Sequence, residues 1–302
     1  MASCRLQHGF RTYVLVSSDG RTRAEIVPEL GGIVSSLTLP GPAGPRECLF
    51  RQPWFWDSAT EETRGGIPLL FPVCGRLEKD GESDAYAIDG RRFRLPIHGF
   101  AMRMPWSVAE DSAADTLRLR IEDSEATRRQ YPFSFRLELR FTAANAGLCC
   151  ALTVANAGDR PMPYYAGFHP YFATPPGGGK AQTRYRASAR ARLLYNDAKT
   201  HVVGFAAPPD FPLSAAADVN ALLLETAEDN ATVLRFPDGF AIRTGASALF
   251  RYRQLYTLPD QPFFCDEPWM APPGSFRRAG AARILSPGQS ESAELHIAAN
   301  AG

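Results

Sequence analysis

Strict alternation of apolar and polar residues constrains this chain more than any other feature. From Phe133 to Phe141 it reads Phe-Ser-Phe-Arg-Leu-Glu-Leu-Arg-Phe, with every odd position apolar and every even one polar. A period of two sends alternate side chains to opposite faces, so the run predicts a strand with one buried and one wet face. Leu117-Arg-Leu-Arg-Ile121 repeats the pattern, as do Ala293, Leu295 and Ile297 against Ser292, Glu294 and His296. Turn chemistry separates such runs. Ser18-Asp19-Gly20, Asp89-Gly90 and Pro237-Asp238-Gly239 each supply a glycine where a tight hairpin needs positive φ. No long window carries a 3.6-residue apolar stripe, and the best helical candidate, residues 215–225, is short. Strands joined by hairpins with few short helices predict an all-β fold, a large antiparallel β-sandwich.

Nothing divides the 302 residues into compositionally different halves, so one domain over 1–302 is expected. The Pro- and Gly-rich stretches 174–179 and 39–45 read as surface loops. With 45% hydrophobic and 22% charged residues a large core is accessible, and wholesale disorder is excluded. Basic and acidic residues balance at 33 to 32, which leaves no surplus to draw the chain to nucleic acid or an anionic membrane. No stretch approaches 18 uninterrupted apolar residues, and the first residues carry no apolar signal core, so a cytoplasmic location is expected. Six cysteines at positions 4, 48, 74, 149, 150 and 265 form no CxxC pair and no zinc spacing, and read as small apolar residues.

Two of the five histidines stand in unusual company. His98 lies in Leu95-Pro-Ile-His-Gly-Phe-Ala101, and His169 in Tyr164-Tyr-Ala-Gly-Phe-His-Pro-Tyr-Phe172. Glycine permits close approach of a ligand, and aromatic faces stack on C–H surfaces, so both settings suit a sugar-sized pocket. Imidazole also exchanges protons near neutrality. Hydrogen-bonded core histidines are the plainer alternative. Among acids, Asp266 and Glu267 stand out in the apolar run Phe263-Phe-Cys-Asp-Glu-Pro-Trp-Met270, where desolvation would make a carboxylate a stronger base. On a strand the two point to opposite faces, so only one serves a given pocket, and a structural salt bridge is the competing role. Arg76, after a rigid apolar segment, suits a clamp on hydroxyls or a carboxylate; Arg64 and Arg103 are weaker candidates. There is no phosphate loop and no GxSxG nucleophile. A metal site of His98, His169 and Glu267 is conceivable, but spacing this long says nothing either way, and no metal is expected.

In order along the chain, Gly65-Gly-Ile-Pro-Leu-Leu-Phe-Pro72 with Gly75-Arg76, Leu95-Pro-Ile-His-Gly-Phe-Ala101 with Pro105-Trp106, Gly167-Phe-His-Pro-Tyr-Phe172 and Cys265-Asp-Glu-Pro-Trp269 resemble the aldose 1-epimerase (galactose mutarotase) family. The closest branch in pattern is the LacX-like and hexose-6-phosphate epimerase-like group. The resemblance implies a β-supersandwich and a small-molecule sugar substrate, with no cofactor. It implies Glu267 as general base, His169 as general acid, His98 as the histidine near the ring oxygen and Arg76 as the sugar-orienting arginine. The family's further sugar-binding acid has no clear counterpart, and Asp197 is the nearest candidate. Hexose-6-phosphate epimerases read His-Gly-Phe-Ala-Arg, whereas here Met102 follows Ala101 and the arginine comes one step later at Arg103. On a strand that shift would turn Arg103 to the wrong face, leaving Arg64 as the substitute for a phosphate. A non-catalytic carbohydrate-binding sandwich is the alternative function. A glycosidase would need two carboxyls flanking one bond. Monomer and homodimer are both open.

Overall fold

The computed structural model describes residues 2–110, 113–176, 178–216, 219, 221–278 and 280–300. Among the described residues, three antiparallel sheets carry the fold. Five strands in chain order, Ser3–Gln7, Phe10–Val16, Arg23–Val27, Ile33–Gly41 and Gly44–Glu47, make the first. The second has nine strands. Its centre runs Thr116–Glu122, Phe135–Ala144, Gly147–Asn156, Ser290–Ala299, Ala241–Ala246, Ala231–Arg235 and Arg184–Ala187. The third has eight strands and orders Val202–Ala206, Ala189–Tyr195, Leu222–Thr226, Tyr252–Tyr256, Phe263–Trp269, Gly167–Phe168 and Leu69–Leu70, with Tyr171–Ala173 also paired to Phe263–Trp269.

The alternating runs sit where their pattern requires. Along Phe135–Ala144 the residues Phe135, Leu137, Leu139 and Phe141 are buried, and Arg136 and Arg140 are exposed. Leu295 and Ile297 belong to the same apolar core, which also takes Leu223, Leu255 and Phe264 from the eight-stranded sheet. That shared core makes the structure a sandwich, and each large apolar side chain fully buried in it contributes roughly 1.5–3 kcal/mol. The Asp89-Gly90 turn has φ of 51° and 74°, the left-handed pair that joins Ala85–Ile88 to Arg91–Arg94.

Two expectations are corrected. The helical candidate 215–225 is strand from Leu222 onward, because Leu222, Leu223 and Leu224 are buried in the middle of a sheet; residues 217, 218 and 220 lie outside the described residues. Residues 39–45 are not a loop but the tip of a hairpin, with Leu39 buried and only residues 42 and 43 between its strands. Of the six cysteines, all free, Cys48, Cys74, Cys150 and Cys265 are buried and Cys4 is exposed. No helix among the described residues is long and apolar enough to cross a membrane.

Candidate active site

The strand Phe263–Trp269 is buried along its whole length, and its alternation separates the two acids. Asp266 turns into the space between the large sheets. There its Oδ2 accepts hydrogen bonds from Thr232 Oγ1 (2.5 Å), Thr244 Oγ1 (2.8 Å) and Arg253 Nη1 (3.3 Å), and its Oδ1 accepts one from Tyr185 (3.0 Å). The three uncharged donors stand on the nine-stranded sheet, so Asp266 stitches one sheet to the other. The competing role, a structural salt bridge, falls to this acid.

Glu267 turns the other way, into a cavity of about 540 Å³. That volume lies in the range of about 300–1,000 Å³ usual for small-molecule sites. Its Oε2 accepts a hydrogen bond from the Trp269 indole N–H (3.1 Å), and its Oε1 lies 3.3 Å from His169 Nε2. Complete burial pushes the Glu267 carboxyl well above the usual range, the Trp269 bond opposes this, and the Asp266 charge adds to it. Burial likewise drives His169 down to about 3. Both shifts disfavour the charged forms, so burial favours a carboxyl beside a neutral imidazole over an ion pair.

His169 follows the short strand Gly167–Phe168 and is clamped by a backbone bond to Pro68 and a stacked contact with Tyr171, ring centroids 4.6 Å apart. Its ring lies 5.3 Å from that of His98, edge to face. His98 has φ of 65°, an uncommon value for a residue with a side chain, and a reciprocal pair of bonds holds it there. The His98 N–H donates to the Gly75 carbonyl (3.0 Å), and the Gly75 N–H donates to His98 Nδ1 (3.1 Å). An accepting Nδ1 places the ring proton on Nε2. Burial, then the neighbouring His169, Arg103 and Arg76, hold His98 well below its ordinary value.

Gly99 completes this turn at φ of 72°, and a Cβ there would lie 2.2 Å from the Phe71 carbonyl oxygen. Gly99→Ala therefore combines a strained φ with a backbone clash, and should destabilise the fold by at least about 2 kcal/mol, read as a lower urea midpoint.

The acid limb of stability follows from the same groups. The raised Glu267 carboxyl costs stability as pH rises above about 4.3, and the lowered His169 imidazole costs stability as pH falls below about 6.5, so the two contributions oppose each other between those values. His98 stays neutral when folded but protonates below about 6.5 when unfolded, so its contribution is present above that pH and lost below it. The unfolding free energy from urea titrations should fall as pH drops below about 6.5, by up to about 1.4 kcal/mol per pH unit from this group, and His98→Gln should flatten that fall.

The remaining candidates divide. Arg76 lines the cavity, is exposed, and has no side-chain partner among the described residues. Arg64 does not line it. Its guanidinium is buried and donates to the backbone carbonyls of Phe55 (2.9 Å), Asp57 and Thr60 (3.5 Å), which removes it from any phosphate role. Arg103 lines the cavity although the strand argument had turned it away. Ala101–Arg103 is a turn of 3₁₀ helix, where a one-residue shift does not reverse the face; Met102 is buried there. Most of Arg103's donors are nonetheless spent on the carbonyls of Glu61, Ile97 and Gly99. Asp197 is exposed and off the cavity, and Lys199, two residues on at φ of 55°, lines it instead. In the chain between His98 and Glu267 the described lining carries no acid, although Glu61, Glu62 and Asp84 line the cavity from earlier in the chain. Gln254, directly across the sheet from Glu267, stands there and accepts a bond from the Tyr195 hydroxyl (2.7 Å). Gln254 and Lys199 sit in no local motif, and only the strand pairing and the turn bring them in. A second depression, of about 640 Å³, brings no acid–base pair together, since its Arg11 and Glu29 form an exposed ion pair (2.8 Å).

Four separate segments thus deliver two imidazoles, the buried Glu267 carboxyl and the Arg76 guanidinium to a single hollow. The family model described as Aldose 1-epimerase matches residues 13–298, and the chain belongs to that family. A Salmonella typhimurium protein, provisionally named a glucose-6-phosphate 1-epimerase, is 29% identical over 138 residues, 43% of this chain and 40% of that protein. LacX of Lactococcus lactis is 26% identical over 126 residues, 40% of this chain and 41% of that protein. The matches therefore span about two fifths of these curated relatives. The solved structure of Slr1438 from Synechocystis is 28% identical with a TM-score of 0.84, covering 100% of this chain and 98% of that one.

Proposed function

We propose that the chain interconverts the α and β anomers of an aldohexose or a hexose phosphate. The observation that carries this reading is the 3.3 Å contact between Glu267 and His169 on the wall of a sugar-sized cavity, where burial favours a proton on Glu267 over an ion pair. Moving that proton from carboxyl to imidazole arms the pair. The Glu267 carboxylate then takes the proton of the anomeric hydroxyl while the His169 imidazolium protonates the ring oxygen, and the C1–O5 bond breaks to give the open aldehyde. Rotation about C1–C2 presents the other carbonyl face. Ring closure returns both protons and leaves the pair as it began. Proton transfer at each end contributes typically ~10²–10⁴-fold. His98, with a proton on Nε2, and Arg76 would hold the ring, supplying orientation. Arg76 and Lys199 are the cations free to meet a phosphate. The name of the Salmonella relative and the family match support the reading.

Polarimetry on freshly dissolved glucose, galactose and their 6-phosphates tests it. Catalysed approach to the equilibrium rotation is expected for at least one. Saturable binding with only the buffer rate would favour a carbohydrate-binding protein, and new reducing ends from a disaccharide would favour a hydrolase.

A further inference from the structure

The pair has a third neighbour that proton transfer does not use. Cys265 precedes Glu267 by two residues on the same strand, so its side chain lies on the same face. One donor atom each from His169, Cys265 and Glu267 lies within 4.8 Å of the others, and all three residues are buried. His169 Nδ1 is also buried, with no hydrogen-bond partner among the described residues.

We infer that this cluster captures a thiophilic divalent cation of the zinc type, and that the captured ion silences the acid–base pair. A nitrogen, a sulfur and an oxygen donor are the set such ions prefer, with a fourth tetrahedral position left for water. Ligand atoms roughly 2.0–2.3 Å from a tetrahedral ion lie roughly 3.5 Å apart. His169 Nε2 and Glu267 Oε1 already stand at 3.3 Å, close to that separation, and the Cys265 thiol is the third donor of the cluster. One thiolate and one carboxylate neutralise a dication, and a buried site tolerates that sum where it would not tolerate a bare charge. Three bonds form to the ion, from sulfur, nitrogen and oxygen, and displace three of its waters. The thiol proton and the proton of the pair pass to solvent. The lone pairs that bind the ion are those that move the sugar's protons, so ion and sugar compete.

The inhibitory consequence rests on the function proposed above, but the binding does not. Cobalt(II) is therefore the first probe, because a thiolate ligand gives it a charge-transfer absorption that needs no turnover. The wild-type protein should show that band. Cys265→Ala and Glu267→Gln should abolish it while circular dichroism stays native. Cys149→Ala should keep it, which separates the buried group from the outer-face cluster of Cys149, Glu294 and His296. Zinc affinity, read by competition with a chromophoric chelator, should fall at least ~100-fold in Cys265→Ala. Where anomerisation is observed, zinc should inhibit it competitively with sugar. A band that survives Cys265→Ala, or equal zinc affinity in the two proteins, overturns the inference whatever the catalytic assay shows.

Discussion

Glu267→Gln is expected to lower anomerisation by at least ~10²-fold, and by up to ~10⁴-fold, while leaving the protein as stable as the wild type or more so. The two halves of that result have one cause. Glutamine keeps the shape of the side chain and an oxygen to accept the Trp269 N–H, so the local packing survives. It cannot take a proton from an anomeric hydroxyl. The buried carboxyl is also costly to the fold wherever it must ionise, since burial holds it well above its ordinary range. Removing it relieves that cost. Activity lost with stability kept is the signature of a group retained for chemistry. His169→Asn should behave alike in rate. Near wild-type rates in both variants would remove the acid–base account, and a collapse of the fold in Glu267→Gln would make Glu267 structural. Polarimetry and a urea titration read the two halves.

The neighbouring acid should do the opposite. Arg253→Met is expected to destabilise the protein by about 3–5 kcal/mol, a shift of more than a molar in urea midpoint at typical slopes of ~1–3 kcal/mol per molar. Arg253 is fully buried, Asp266 is 1% exposed, and the guanidinium also bonds Thr244 and Asn230. Deleting it leaves a carboxylate in the inter-sheet core without its countercharge. Arg253→Met combined with Asp266→Asn should recover much of the loss, because the uncompensated charge goes as well. Equal destabilisation in the single and double variants would show that the charge pair is not the cause. Both substitutions act on the stitch between sheets, so surviving folded protein should retain anomerase activity far above that of Glu267→Gln.

Adjacent residues with opposite duties are legible in the sequence only as far as strand periodicity reaches. Alternation over 133–141 and 293–297, with the Gly-bearing turns, sufficed for an antiparallel sandwich, because a buried face must repeat every second residue. The same rule assigns Asp266 and Glu267 to different faces. Which face holds the cavity depends on partners far along the chain, Thr232 and Thr244 on one side and His169 on the other. Local periodicity misled where the local geometry was not a strand. Arg103 reaches the cavity from a 3₁₀ turn, and residues 222–225 extend because a sheet surrounds them. Arg64 shows the limit of residue type as a guide, since a guanidinium serves three backbone carbonyls as readily as a phosphate. The cation and the amide that complete the cavity, Lys199 and Gln254, become visible only with the turn at 199 and the pairing of Gln254 with Glu267.

Exchange spectroscopy on the anomeric protons of an equilibrated sugar tests the central claim most directly, because it reads α-to-β interconversion with no net reaction. Catalytic protein should produce cross-peaks between the H1 signals of the two anomers for at least one of glucose, galactose and their 6-phosphates, and Glu267→Gln should not. Wild-type exchange no faster than buffer for all four sugars, or equal exchange in the variant, would contradict it.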